Sequence, residues 1–562
     1  MSLECMLAEF LSSQHAYIAI GDPATDIGVN IKRPLSNTAS AESFVVAKRW
    51  ISDCLRTHDC STPLSLKEKE TSRSLLLGPS RLVDVEAFEQ PSQDVRLIDN
   101  DGTVERYITL SYCWGKSRTF ITTARSLRLR KSRIVYKYLP KTFKDAIRIA
   151  RQLGIRHIWV DALCIIQDDR ADWENESAKM GAIYSTSFLT VAADSSTDCH
   201  GGCFNTRSIS QDLACDNTPF ELVTTASNGR ESRLFLWTPV RGARKFALPD
   251  LDESPLSERG WCCQERILSP RILHYTRSQL FWECRQRLLA EDNLRPWALW
   301  AAGAPTASGL ARNLYGTATG AAARARLLDI WYRNVVGQSY SRRKLTHAHD
   351  KLIAISGIAR AFHRHLRSAY VAGLWAQQDL AWGLAWRRRG PAAAPPAYRA
   401  PSFSWAALDA AVEWPARHDG GRASIALESV HVDVEGRDPF GRVAAAWIEV
   451  SGLVRAAVVV ARKRISAGVV EFDWELRSSQ SNKWLGTAYM DHDAVGDHDA
   501  ELYVNCLVLS SHEDSGQADM LLLEEHPDQP NAYVRKGVAV LLGYEVDSQY
   551  SDYEERQTLK IY

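Results

Sequence analysis

Between Arg106 and Ala193 the chain alternates element types at the spacing of a parallel sheet covered by helices, and this constrains its fold more than any other stretch. RYITLSY is a buried-strand pattern ending at Ser111-Tyr112, and Cys113-Trp114-Gly115 breaks it sharply. Pro140 suits a first helical turn; beyond it Phe143, Ala146, Ile147, Ala150 and Leu153 share one face until Gly154 supplies the stop. IRHIWVD is β-branched, aromatic and too short for a helix, which predicts a central strand with Asp161 at its carboxyl end. A second helix is expected from about Asp172 as N-cap, with Trp173, Ser177, Met180 and Tyr184 on one face, and the strand SFLTVAA closes the series. Ligands of such sheets sit beyond the carboxyl ends of the strands, which singles out Ser111–Gly115 and Asp161.

The flanks read differently. Phe44, Ala47, Ile51, Cys54 and Leu55 recur at steps of three and four, predicting an amphipathic helix over Ala41–Asp59. SRLVDV and DVRLID, closed by Asn100-Asp101-Gly102, read as a hairpin or edge pair leading into the main domain. Trp297–Arg326 turns to Ala, Gly and Arg, the composition of a surface insertion or linker. Helical patterns run from Leu327 through Tyr370 to about Trp386, Pro391–Pro401 reads as a spacer, and after Trp405 short strands alternate with Gly and Asp turns. The expected organisation is an N-terminal helix and hairpin segment (1–105), the α/β domain (106–285), an Ala/Gly-rich insertion or linker (286–330), a helical region (331–410) and a β-rich C-terminal region (411–562).

Composition excludes several classes. At 562 residues, with 45% apolar and 24% charged residues, most of the chain should fold. The 68 basic and 67 acidic side chains leave a net charge of +1, so nothing draws it to nucleic acid. Glu4 and Glu9 stand where a signal peptide would carry basic residues, and no stretch reaches the ~18 apolar residues of a membrane span. A cytoplasmic protein is therefore expected. Twelve scattered cysteines read as reduced thiols rather than a disulfide framework.

The motifs YITLSYCWG (Tyr107–Gly115), LPKTFKDAIRIARQLGIRHIWVDALCIIQDD (Leu139–Asp169), DWENESAKMGAIYSTSFLTVAA (Asp172–Ala193) and RGWCCQERILSPRILHY (Arg259–Tyr275) resemble, in order and spacing, the fungal heterokaryon incompatibility (HET) domain. The resemblance covers about Arg106–Cys284 and implies non-self recognition that ends in programmed death of fused fungal cells. HET domains in turn resemble Toll/interleukin-1 receptor (TIR) domains, some of which cleave NAD. The fold class expected is thus α/β, a TIR-like parallel sheet flanked by helices, followed by the helical and β-rich regions. In the TIR comparison Leu110-Ser111-Tyr112 ends the first strand and Val160-Asp161 the second. Trp261-Cys262-Cys263-Gln264-Glu265 carries the catalytic Glu, with Arg266 where the family has Leu. About 65 residues separate Ala193 from Trp261, a longer excursion than a compact TIR domain has.

The resemblance makes Glu265 the catalytic carboxylate and Ser111, Tyr112, Trp114, Gly115, Asp161 and Trp261 the substrate-binding set. Breaking the nicotinamide–ribose bond passes through an oxocarbenium-like cation that a carboxylate stabilises. NAD would be substrate, and no cofactor is expected. The implied partners are a second copy of the chain and an incompatibility protein that the sequence does not name. Plainer readings stand beside these. Glu265 could pair with Arg259 or Arg266, Trp114 could be a packed loop residue, Gly115 a backbone requirement, and Asp161 an acceptor for backbone N–H groups. Glu174, Glu176 and Glu283 are lesser carboxylate candidates. Cys54, His58 and Cys60, and separately Cys199, His200 and Cys203, bring metal-capable groups close, but neither set has a full pair of zinc-spaced dipeptides and no metal is assigned. A Cys262 or Cys263 thiol with His274 as base is a chemical alternative, and Arg387–Arg389 reads as a solvated helix end.

Overall fold

The computed structural model describes residues 15–18, 34–60, 78–116, 120–206, 220–225, 231–237, 249–292, 320–377, 379–393, 395, 397–417, 422–466, 469–492, 501–512, 516–542 and 556–562. Contacts divide the chain into two units, 1–315 and 316–562.

The strands of the first unit are β1 (His15–Ile18), β2 (Arg81–Asp84), β3 (Arg96–Asp99), β4 (Tyr107–Ser111), β5 (His157–Trp159), β6 (Leu189–Ala192), β7 (Phe220–Thr225), β8 (Glu231–Trp237), β9 (Arg271–Tyr275), β10 (Leu280–Cys284) and β11 (Leu288–Ala290). Eight of them form one sheet in the order β11-β10-β9-β6-β4-β5-β2-β3, and β1, β8 and β7 form a small separate one. The central β9, β6, β4 and β5 run parallel. Antiparallel β10 and β11 extend one edge, and the β2–β3 hairpin the other. The sheet is therefore mixed, because the predicted hairpin joins it as an edge and the chain after Tyr275 folds straight back. β4, β6 and β9 are buried along their whole length, as parallel strands covered by helices must be.

The helices here are α1 (Ala41–Thr57), α2 (Ala124–Ser132), α3 (Lys141–Leu153), α4 (Arg170–Thr186) and α5 (Cys262–Leu268). In α1 the Ser40 hydroxyl caps the N–H of Ser43 and the buried stripe is Phe44, Ala47, Trp50, Ile51 and Cys54; the expected Leu55 instead faces outward. Helix α3 starts after Pro140, buries Phe143, Ala146, Ile147 and Ala150, and stops at Gly154 in the left-handed conformation. The N-cap of α4 is Asp169, not Asp172: its carboxylate accepts from the N–H groups of Ala171 and Asp172. Asp172 is thereby free to pair with Arg81 of β2 at 2.5 Å. Since β5 and β6 lie on opposite sides of β4, the connections leave β4 in opposite directions, and the crevice of such a sheet opens there.

In the second unit α6 (Ala321–Asp329) runs into a π-helical stretch, Ile330–Tyr340, that buries Trp331, Tyr332, Val335 and Val336, and α7 (Ile353–Leu366) follows. The helical pattern is interrupted before Trp386 by a small hairpin pairing Tyr370–Val371 with Leu374–Trp375, and only a short helix, Leu380–Leu384, follows. Arg387–Arg389 are not a helix end but part of the strand Arg387–Ala393, paired with Asp409–Glu413. Their guanidinium groups have neighbours that local sequence does not reveal, Arg387 stacking on Tyr489 at 4.2 Å and Arg388 donating to Met490 O at 2.7 Å. The spacer reading of Pro391–Pro401 falls for its first residues for the same reason. Beyond this, strands Val443–Ser466, Val469–Ser478, Trp484–Met490, Ala532–Leu542, Gln517–Glu525 and Glu501–His512 pair in that order. The last returns to the first, closing a barrel around Val459, Leu476, Val508, Met520 and Leu522. The insertion expected at Trp297 lies outside the described residues as far as 319. Among the described residues no helix is long and apolar enough to cross a membrane.

Candidate active site

Ser111 ends β4, and its hydroxyl donates to Glu265 Oε2 on α5, 154 residues away in the chain. Two local signals place Glu265. Helix α5 follows its N-cap Trp261 and packs against α4, and the Ser269 hydroxyl at its C-cap closes the turn by donating to Glu265 O at 2.5 Å. Glu265 is 5% exposed. Burial pushes its carboxyl up to about 7, the Ser111 hydrogen bond opposes this, the Asp161 charge adds to it, and the Arg259 charge opposes it. The Tyr184 hydroxyl, which donates to Leu110 O at 3.2 Å, also stabilises the ionised form.

A second group sits beside the first. Trp114 Nε1 donates to Asp161 Oδ2 at 2.7 Å, and the Ala162 N–H donates to Oδ1 at 2.7 Å. Burial raises the Asp161 carboxyl, and these donors pull against it. Tyr112 packs edge-on against Phe143 with ring centroids 5.2 Å apart. Gly115 has φ +75°, and a Cβ there would lie 2.5 Å from Asp198 Cβ, so the turn after β4 accepts only glycine. Trp261 is half-buried and sits edge-on to Trp173 at 6.5 Å. The structure thus brings Ser111 to Glu265 and ties Trp114 to Asp161, with the two carboxyls close enough to perturb each other.

Arg266 does not serve Glu265; its guanidinium turns to Glu283 at 2.9 Å and Asp252 at 3.6 Å. Glu283 in turn faces His274 Nε2 at 3.3 Å, and His274 Nδ1 faces Asp194 at 2.9 Å. Burial alone would raise the Glu283 carboxyl, yet Arg266 and His274 hold it down at about 2. Burial also opposes charge on His274, but Asp194 and Glu283 outweigh it and raise its pKa. Both imidazole nitrogens are engaged by carboxylates, which removes His274 as a base for Cys262 or Cys263. Glu174 pairs with Arg170 at 2.7 Å, and buried Glu176 accepts from the Ser80 hydroxyl at 2.6 Å, so neither is a free base.

Sequence reasoning placed Tyr184 only on the packed face of a helix, did not single out Asp194, and considered Arg259 only as an ion-pair partner. Arg259 shares the RGWCCQE motif with Glu265, a signal that could have placed it in the site, whereas Asp194 and Tyr184 reach their partners only through the sheet order. Cys54, His58 and Cys60 do converge, and Cys284 at the end of β10 joins them. Among the described residues Cys199, His200 and Cys203 form no such group.

The cavity beside these residues, bounded by Tyr112, Trp114, Phe120, Phe143 and Ala162 among others, measures about 10 Å³. That is room for about one water, against roughly 300–1,000 Å³ for a small-molecule site. Ser111 and Glu265 do not line that cavity and are themselves buried.

Searches of curated proteins and of solved structures found no match for this chain. Residues 107–265 match the family model described as Heterokaryon incompatibility protein (HET). The match opens on the first residue of β4 and ends on Glu265, so it spans the parallel strands β4, β5 and β6, the connections between them, and both partners of the Ser111–Glu265 hydrogen bond. With its parallel core, its buried carboxylate site and this match, the chain carries a heterokaryon incompatibility (HET) domain.

Proposed function

We propose that this protein is a death effector of heterokaryon incompatibility in a filamentous fungus and that its HET domain hydrolyses NAD at the nicotinamide–ribose bond. The HET domain supports the incompatibility role. One observation carries the catalytic reading: a carboxyl raised to about 7 lies at the carboxyl-end crevice of the parallel strands, hydrogen-bonded to the serine that ends the central strand. In the reaction the C1′–N1 bond breaks, nicotinamide departs with the bonding pair, and water adds to C1′ and gives up a proton. Ionised Glu265 would stabilise the ribosyl cation between those events. Because Ser111 and Glu265 are buried against each other, turnover requires them to separate, and self-association is the step assigned to that opening. The cationic nicotinamide ring favours the ionised carboxylate on entry.

The burial of Glu265 favours a second reading, a non-catalytic module that signals by binding partners. The Trp-bearing motifs are not the exposed contacts such a module first suggests, since Trp114 and Trp261 are half-buried. The test compares wild type with Glu265→Gln at high protein concentration, following NAD and released nicotinamide while circular dichroism checks the fold. Turnover in wild type alone supports the enzyme. Equal turnover in both overturns the assignment of Glu265, and toxicity in fungal cells that survives Glu265→Gln establishes the binding module.

A further inference from the structure

Cys54 lies in the last turn of α1, His58 caps that helix, Cys60 follows two residues later, and Cys284 ends β10. Their donor atoms all lie within 4.8 Å of one another, although His58 and Cys284 are 226 residues apart in the chain. His58 Nδ1 stands 3.4 Å from Cys284 Sγ. A tetrahedral zinc ion with Zn–S ~2.3 Å and Zn–N ~2.0 Å sets sulfur pairs ~3.8 Å and sulfur–nitrogen pairs ~3.5 Å apart. We propose that Cys54, His58, Cys60 and Cys284 bind one Zn²⁺ as a closed structural site that clamps the end of α1 to the edge of the sheet.

Two observations support this beyond the distances. Three sulfurs and one imidazole are a full tetrahedral set, with no position left for water or substrate, which assigns a structural rather than a catalytic ion. The three cysteines are buried and none is in a disulfide, so three polarisable sulfurs meet at one point where core packing alone would favour carbon. The local spacing, Cys-x₃-His-x-Cys, is not that of a zinc finger, and the fourth ligand comes from the fold. The site links α1 to β10, which belongs to the main sheet that α1 does not join. Beside Cys284, Glu283 anchors Arg266 and His274, so the ion also steadies the strand end that supports α5.

The test uses the full-length protein purified under reducing conditions without chelator. Elemental analysis is expected to find about one zinc per chain, falling below about a tenth in Cys60→Ser and Cys284→Ser and unchanged in Cys506→Ser, a buried cysteine of the other unit. Loss of metal and loss of fold coincide in the first two variants, so cobalt substitution in wild type gives an independent reading. Cobalt-loaded protein should show the visible bands of a tetrahedral thiolate complex, and added zinc should bleach them. Reduced wild type that holds no stoichiometric zinc and gives no thiolate–cobalt bands overturns the proposal, as does mass analysis of the native protein showing a disulfide between any two of the three cysteines.

Discussion

Glu265→Gln separates a buried, strained carboxyl from an ordinary one through pH. The folded-state value of about 7 lies above the 4.5 of the free side chain. Between those values the folded protein holds a proton that the unfolded chain has released, so wild-type stability falls as pH rises through this window and levels off above it. At about 1.4 kcal/mol per unit of pKa, the rise corresponds to about 3 kcal/mol. Below pH 4.5 both states are protonated and wild type differs from the variant only by an acid-to-amide exchange that keeps an acceptor for Ser111. Above pH 7 wild type carries the full penalty and the variant none. The stability of Glu265→Gln relative to wild type should therefore improve by about 3 kcal/mol between pH 4 and pH 8, most of it between 4.5 and 7. The Asp161 charge is one cause of the raised value, so its repulsion is already contained in this figure. Urea-dependent hydrogen exchange, read on peptides covering β4 and α5 and corrected for intrinsic rates, gives the local stability without assuming that the two units melt together. A difference between the two proteins that stays within about 0.5 kcal/mol across this range would refute the reasoning, because other titrating groups cancel in the comparison.

Two further outcomes are expected from the same end of the sheet. Gly115→Ala forces a side chain into φ +75° and to 2.5 Å from Asp198 Cβ; a loss of about 2 kcal/mol or more, seen as a melting temperature lower by several degrees, is expected, and a wild-type melt would show that the turn after β4 yields freely. Trp114→Phe removes the 2.7 Å donor from buried Asp161, which should cost about 1–3 kcal/mol and raise the Asp161 carboxyl further. Since the ionised form is the one harmed, the loss in denaturant titrations should be larger at pH 8 than at pH 5.

The HET elements were legible where one residue's neighbours along the chain settle its environment. The apolar steps of Phe143, Ala146, Ile147 and Ala150 with Gly154 behind them describe α3, and the β-branched run before Asp161 describes β5, because periodicity is a property of ten or fifteen consecutive residues. Even a local choice between near-equivalent residues was harder: Asp169 and Asp172 both suit an N-cap, and the Arg81 side chain from a distant strand decides between them. The basic run Arg387–Arg389 was misread for a related reason, since its strand partner Asp409–Glu413 lies beyond a Pro-rich stretch.

By itself the sequence determined most of the strands and helices of the α/β domain, that Ser111 ends its strand and Asp161 follows closely on β5, and, through motif resemblance, that Glu265 belongs with them. Only the tertiary structure decided the contacts that give those residues their chemistry. Strand order places β6 and β5 on either side of β4 and folds α5 back so that Glu265 meets Ser111 and loses its water. The same order carries Cys284 across to Cys54, His58 and Cys60. Local preference is encoded in backbone sterics and side-chain spacing, whereas a pKa or a ligand set depends on groups hundreds of residues apart, and their meeting is fixed by sheet pairing and burial rather than by anything adjacent in the chain.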